Sequence, residues 1–315
     1  MSEHFQVRER CPACDGVDVQ TIFSRGYAEP NLRSTLEGFY TKALRRDYHS
    51  LLDAEYTLQR CRSCALVFQQ QIPDEFLLGR LYEEWIDIKG QLDRLRAGLP
   101  PGRPLAIAHQ VFLSLSLIRQ PSHPLQALDY GCGWGEWALM TRAFGADGWG
   151  TEFSPTRREY CLQRRVRVVD EAELVDGDFD LINLDEILEH LPKPRATLAM
   201  LATKLRTGGV MRISVPNASR VAGKLRQFDR ELSRPRGGGL YPVAPLQHLS
   251  CFCGRSLMMM AEASGLKRVV PSWRVLGNAF HLPEGLRPKA RALIRPFYLR
   301  SDSCTELFFA KLNGC

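Results

Sequence analysis

The sequence predicts an α/β fold, a doubly wound sheet preceded by a small cysteine-rich module, and three observations carry that expectation. Residues 127–135 read A-L-D-Y-G-C-G-W-G, an apolar strand running into a glycine-rich turn, and Glu136 to Phe144 read as the helix that follows. Further strand-like runs, each trailed by helix or turn signals, repeat that rhythm towards the C-terminus. Near the N-terminus, Cys11-Pro-Ala-Cys14 and Cys61-Arg-Ser-Cys64 form two C-x-x-C pairs.

The bounds agree with that class. A chain of 315 residues, 44% apolar and 24% charged, can bury one sizeable α/β core with an attachment. The best apolar run, Leu105 to Ile118, is too short to span a bilayer and contains His109 and Gln110. The start, M-S-E-H-F-Q, has no signal-peptide pattern, so a cytoplasmic protein is expected. A net charge of +7 without a dense basic run reads as a solvated basic surface.

Ten cysteines without a signal peptide point to metal ligation rather than a disulfide framework. Each C-x-x-C pair can present two thiolates, so Cys11, Cys14, Cys61 and Cys64 make a closed tetrahedral zinc site with a structural role. The residues between the pairs exceed what a minimal ribbon needs and predict an inserted helical excursion through Thr35 to Leu52. After Cys64, A-L-V-F is a strand-like exit, and Pro73, Leu77, Leu81, Tyr82 and Trp85 mark an amphipathic helix. Pro100-Pro101-Gly102 and Pro121-Ser-His-Pro124 bracket a mainly apolar helix from Pro104 to Ile118. The expected division is a zinc module over 1–85, a helical connector over 86–124 and the sheet domain over 125–315.

Within the sheet domain, Leu125 to Leu128 open the first strand and Asp129 marks its end. Glycines 131, 133 and 135 leave bare backbone along the turn, against which a flat ligand can lie. The dinucleotide fingerprint wants a third glycine where Glu136 stands, and that carboxylate would repel pyrophosphate at the helix N-terminus. S-adenosylmethionine (SAM) carries no phosphate and meets no such repulsion. Trp149 to Glu152 is the second strand, and Glu152 at its tip suits a pair of ribose hydroxyls. Ser154-Pro155 then cap a helix to about Gln163. Val166 to Val169 is the third strand; Asp170 or Glu171 either reaches an adenine edge or is a solvated turn acid. Phe179 to Leu184 is the fourth, with Asn183 and Asp185 at its carboxyl end beside the turn crevice. Arg195 to Leu205 is a helix stopped by Thr207-Gly208-Gly209, and Val210 to Val215 is the fifth strand. Residues 218–245 are basic and rich in Gly and Pro, either a lid or a surface loop. Gly254 to Ala263 is a helix, Leu266 to Val270 the sixth strand and Thr305 to Leu312 the last. Between them, Leu286 to Arg300 interleaves basic and apolar residues, which fits a packed helix with a basic outer face or a membrane-surface helix.

The turn L-D-Y-G-C-G-W-G resembles the first motif of class I SAM-dependent methyltransferases, D/E-x-G-x-G-x-G. Glu152, F-D-L-I-N-L-D-E-I-L-E-H-L, L-R-T-G-G-V and Q-H-L-S-C-F follow in that family's order. The resemblance implies a seven-stranded Rossmann-like sheet with one reversed strand. It also implies a SAM site made by Asp129, Tyr130, Gly131, Cys132, Gly133, Gly135, Glu152, Asn183 and Asp185. The double C-x-x-C N-terminus is similar to the zinc-binding domain of sugar C-methyltransferases. Those enzymes resemble Y-H-E-H-L-S-Y-F where this chain has Pro245-Leu-Gln-His248-Leu-Ser-Cys251-Phe252, so the second histidine survives as His248 while the Tyr, first His and Glu are Pro245, Leu246 and Gln247.

E-x-x-E-H, as Glu186, Glu189 and His190, with His248 offered from elsewhere, resembles the magnesium set of quinone-biosynthesis and small-RNA methyltransferases. In metal-free members the same acid caps a helix and the histidine lines the pocket, and both readings stay open. The expected activity is methyl transfer from SAM to a small hydroxyl-bearing acceptor, a sugar or secondary metabolite, with His248 or His190 taking the proton. Carbon methylation of a nucleotide-linked sugar and a catalytically silent SAM-fold partner are the alternatives. Nucleic acid is not expected as a partner, because basic and aromatic residues do not interleave around the cysteine pairs.

Overall fold

In the computed structural model the described residues are 3–98, 100, 102–119, 124–232, 240–279 and 286–311. Pro101, the 121–123 part of the Pro-rich bracket, Arg234 to Gly239, Leu312 and Cys315 lie outside them. The chain forms two compact units. The first comprises residues 1–98, 189–194 and 216–256, and the second 99–188, 195–215 and 257–315.

In the first unit, β1 (Phe5–Val7), β2 (Val19–Gly26), β3 (Glu55–Cys61), β4 (Val67–Gln69) and β5 (Gln71–Pro73) precede the second unit's strands in the chain. β1 pairs with β5 alone. β2, β3 and β4 form an antiparallel sheet that the later segment Ser250–Cys251 completes beside β4. The helical excursion begins earlier than the sequence predicts, at Pro30. It comprises helices Pro30–Phe39 and Lys42–Asp47 and a tighter turn Tyr48–Leu51. Leu32, Leu36, Leu44, Tyr48 and Leu51 pack it into one core with Tyr56, Leu81 and Trp85. The expected helix ending at Trp85 is split into Glu75–Arg80 and a widened turn Leu81–Trp85. Asp47 explains the widening: it accepts from the Trp85 indole at 2.9 Å and from Arg80 at 2.6 Å, fixing both to the neighbouring helix.

The segment 218–245, expected as a lid or surface loop, contributes Val221, Leu225, Phe228, Leu240 and Val243 to that same core. Its described part is therefore structural, because apolar residues spaced through short helices Val221–Leu225 and Phe228–Leu232 leave water.

The second unit holds β6 (Gln126–Tyr130), β7 (Asp147–Thr151), β8 (Arg167–Val168), β9 (Phe179–Asp185) and β10 (Leu205–Ser214). After β11, the Ser250–Cys251 segment already placed, come β12 (Leu266–Val269) and β13 (Glu306–Lys311). The order is β12-β13-β10-β9-β6-β7-β8, with β13 antiparallel to both neighbours and the remaining pairs parallel. This is the expected seven-stranded doubly wound sheet with one reversed strand. Strand order reverses between β6 and β9, which opens a crevice beyond their carboxyl ends. β9 is buried along six of its seven residues, as a parallel strand covered on both faces must be. β6 runs to Tyr130, so Asp129 lies within the strand rather than at its end. β10 begins at Leu205, and the Thr207-Gly208-Gly209 turn becomes an irregularity where its register against β9 shifts.

Helix Glu136–Ala143 lies so close to β7 that a Cβ on Gly148 would sit 2.3 Å from the Ala138 carbonyl oxygen. Backbone cannot yield as a flexible side chain can, so Gly148→Ala is expected to cost about 1–3 kcal/mol of stability, read as a lower urea midpoint.

Candidate functional site

The glycine turn is shaped by its three left-handed glycines, Gly131 at φ +73°, Gly133 at +55° and Gly135 at +76°. They serve different ends. A Cβ on Gly131 would strike Ile187 at 2.4 Å, and one on Gly135 would press on Cys161 and Val166 at 3.0 Å, so these two are small for packing. A Cβ on Gly133 would meet nothing within 4 Å, which marks it as the open point where a ligand can approach backbone.

Glu152 clasps that point. Its carboxylate accepts from the Gly133 amide at 2.8 Å and from the Ser154 amide at 2.8 Å. Two donors leave acceptor capacity on the two oxygens for further hydroxyls. Thr151 Oγ1 takes the Gly131 amide at 3.0 Å, completing the fixation of the turn. Two others expected around SAM, Cys132 and Tyr130, point into the protein. Cys132 packs with Ala138, Cys161, Val166 and Val168. Tyr130 is 2% exposed and its hydroxyl donates to Glu171 at 2.6 Å, while Asp170 pairs with Arg158. Glu136, the residue that argues against pyrophosphate, receives Arg103 at 2.5 Å.

Behind the turn runs a buried polar chain that sequence reading missed. The Asn183 amide donates to Asp129 at 2.7 Å, and its carbonyl accepts from Arg212 at 2.7 Å. Arg212 also reaches Asp185 at 2.9 Å and Glu306 at 3.1 Å, and Arg295 caps Glu306 at 2.9 Å. Asn183 is wholly buried with both ends engaged, so it orients Asp129 from behind, whereas Asp185 is partly exposed at the strand end. Burial pushes the Asp129 carboxyl up to about 7, against the opposing pull of the Asn183 amide. Burial alone would lower the Arg212 pKa, but Asp185 and Glu306 outweigh it and hold the guanidinium charged. The legible signal was an arginine within the apolar run V-M-R-I-S-V, because a cation on a buried strand requires acidic partners.

In the first unit, the four thiols converge. Cys11 and Cys64 sulfurs are 3.5 Å apart, Cys14 and Cys61 3.6 Å, and all four lie within 4.8 Å of one another. Tetrahedral ligands about 2.3 Å from zinc stand about 3.8 Å apart, so the donor set fits that ion. The two pairs fold alike. The Asp15 and Ala65 amides close on the Cys11 and Cys61 carbonyls, at 2.9 and 3.0 Å. Both Asp15 and Ala65 take positive φ, +61° and +63°. The hydrogen bond from Cys64 pulls the Cys11 thiol down, while the same bond pushes the Cys64 thiol up and burial raises that of Cys14.

The same unit gathers Glu189, His190 and His248, whose donor atoms also lie within 4.8 Å of one another. Glu186 is absent from that group. It takes φ +56°, a left-handed backbone that no helix allows, so Glu186 and Glu189 do not share a helical face. His190 Nδ1 lies 3.0 Å from the Gln247 carbonyl and 3.0 Å from the Tyr82 hydroxyl, while its Nε2 faces Glu189 Oε1 at 3.8 Å. His248 is 1% exposed, and its Nδ1 is buried without a hydrogen-bond partner. Burial pulls its pKa down to about 4, although the Pro242 and Tyr241 carbonyls oppose this, so the ring is neutral at pH 7. Two imidazoles, each steadied by a backbone carbonyl, and one buried carboxylate can hold a cation. Two nitrogens suit zinc, manganese or iron better than magnesium, which prefers oxygen. A cavity of about 810 Å³ in this unit is lined by Phe39, Tyr40, Ile86, Arg94, Tyr241 and Gln247, and the Tyr241 ring meets the His248 ring at 5.0 Å.

Residues 102–270 match the family described as a methyltransferase domain. A ubiquinone biosynthesis O-methyltransferase from Methylococcus capsulatus is 30% identical over 149 residues, 43% of this chain and 57% of that protein. The chain thus spans little more than half the length of that relative. A protein of the same name from Xanthomonas campestris pv. campestris is 27% identical over 223 residues, 66% of this chain and 87% of the relative. A SAM-dependent methyltransferase of known structure from Thermotoga maritima is similar at 15% identity and TM-score 0.37, over 54% of this chain and 79% of that one.

A carboxyl whose pKa rises on folding binds its proton more tightly in the native state. The stability Asp129 contributes is therefore complete below about pH 4 and is lost as pH rises through about 7. Unfolding free energies of Asp129→Asn and the wild-type protein, compared across that range, should diverge with the variant the flatter. Arg212→Met removes the buried cation that Asn183, Asp185 and Glu306 share, and is expected to cost about 3–5 kcal/mol by chemical denaturation.

Proposed function

The chain belongs to the methyltransferase-domain family and is a SAM-dependent methyltransferase, and on that premise we propose that it methylates a hydroxyl oxygen of a small acceptor. Gly133 carries the donor half of this reading: of the three turn glycines it is the one with open space at its Cβ position, with Glu152 fixed beside it. Asp129, Gly131, Gly133 and Glu152 would hold SAM, with Asn183 positioning Asp129 and Asp185 at the crevice edge. Bound SAM supplies a methyl group already activated as a sulfonium, so the protein chiefly orients, excludes water and removes one proton.

His248 is our candidate for that proton. Its buried, neutral Nδ1 has an available lone pair, and His190 stands beside it with ring centroids 4.9 Å apart. A cation held by Glu189, His190 and His248 would take up that lone pair and would instead lower the pKa of an acceptor hydroxyl directly. The cavity walled by Phe39, Tyr40 and Tyr241 is our acceptor pocket, suited to a molecule with an aromatic or other flat apolar body. Oxygen is favoured over carbon as acceptor atom because residues 245–247 are Pro, Leu and Gln, with Leu246 wholly buried at φ +67°. None of these three side chains can exchange a proton with a carbon acid. The functional parts we assign are a structural zinc module within residues 1–85, the connector 86–124 and the transferase domain 125–315.

Calorimetric titration with S-adenosylhomocysteine tests the donor site. Micromolar affinity, on the order of −8 kcal/mol, is expected for the wild-type protein and none for Gly133→Arg, whose side chain would fill the open point. Normal affinity in that variant would sink the site. His248→Ala should bind the same ligand within about threefold yet slow transfer roughly 10²–10⁴-fold; unchanged turnover would remove His248 from the reaction. Elemental analysis of the purified protein should find about one zinc per chain, lost in Cys61→Ser together with thermal stability.

A further inference from the structure

A surface of the second unit, away from both clusters in sequence, leaves large apolar side chains in solvent. On helix Leu286–Arg300, Leu293, Ile294 and Phe297 are 56%, 63% and 66% exposed. Leu293 and Phe297 are one helical turn apart and so share a face. Helix Trp273–Asn278 adds Trp273, 53% exposed, whose ring stands edge-on to Phe297 at 5.2 Å. Scattered exposed apolar residues are ordinary, but a contiguous group built on an aromatic pair marks a contact surface.

The helix sequence carries charges of one sign. From residue 286 to 300 the sequence carries Arg287, Lys289, Arg291, Arg295 and Arg300 and no carboxylate. Two acids among the described residues after the helix are already engaged. Glu306 takes Arg212 and Arg295, and Asp302 takes Arg268 at 2.5 Å. Arg300 lies over the Trp273 ring, 4.7 Å from its centre, and bonds the Pro271 carbonyl at 2.6 Å. Lys289 and Arg274 are exposed and have no ion-pair partner among the described residues.

We propose that this face docks on an anionic lipid surface, with Trp273, Leu293, Ile294 and Phe297 entering the headgroup boundary and the cations meeting lipid phosphates. The apolar row provides the inserting area, and the unneutralised cations provide complementarity to negative headgroups. Tryptophan and phenylalanine beside lysine and arginine are the residue types that settle at that depth. No described helix is long and apolar enough to cross a membrane.

Co-sedimentation of the full chain with vesicles tests this directly, using phosphatidylcholine alone and with about 30 mol% phosphatidylglycerol, at about 0.1 M NaCl. The wild-type protein is expected to pellet with the anionic vesicles at least tenfold more tightly than with the neutral ones, and to be released by about 0.5 M salt. The double variant Leu293→Ser with Phe297→Ser, and separately Lys289→Glu, should weaken the association, the double variant at least tenfold. Unchanged S-adenosylhomocysteine affinity in these variants shows that they remain folded. Wild-type protein left in the supernatant, or equal binding to both vesicle types, overturns the proposal. So does self-association on gel filtration that the double variant abolishes, which would make the face a contact between copies of the chain.

Discussion

The guanidinium of Arg212 is the constraint on which the sheet and its crevice depend. It sits on β10, 1% exposed, and bonds Asn183 and Asp185 on β9 and Glu306 on β13, while Asn183 hands the connection on to Asp129 on β6. A buried charge is tolerated only when its partners are all present, so the four strands that share it must keep one register. The reversed strand is tied in by the same ion, since Glu306 is its first residue and also receives Arg295. The carboxyl end of the sheet, where the glycine turn and Asp185 lie, is therefore tied across four strands.

The turn itself rests on a second, smaller set of bonds. Glu152 holds the Gly133 amide and Thr151 holds the Gly131 amide, so the loop keeps its shape through groups from the adjacent strand. This arrangement suits a binding site that must be formed before its ligand arrives, because ordering the loop at the moment of binding would subtract from affinity. Glu152 thereby combines two tasks, bracing the turn and offering its remaining lone pairs.

The first unit is assembled from remote pieces of chain. Its sheet borrows Ser250–Cys251, its core borrows the segment around Val221 and Phe228, and its Glu-His-His group takes Glu189 and His190 from one excursion and His248 from another. Segments that return to a distant module add loop-closure cost, offset here by buried apolar side chains such as Leu225, Phe228 and Leu246. The cysteine cluster lies in the same unit, and a metal there would stabilise the scaffold that carries the proposed base.

By itself the sequence determined what local chemistry can specify. The alternation of strands and helices, the N-cap at Ser154, the glycine turn and the paired C-x-x-C spacing all follow from residues within one or two turns of each other. The sheet domain and the four-cysteine set were legible for that reason. Tertiary structure alone decided which distant groups meet. Arg212 finds its carboxylates across three strands, Glu186 is turned from Glu189 by a left-handed backbone, and His248 joins His190 through a chain excursion that has no periodic signature. Those outcomes depend on burial and long-range pairing, where the free energy of removing a charge or an apolar side chain from water outweighs any local preference.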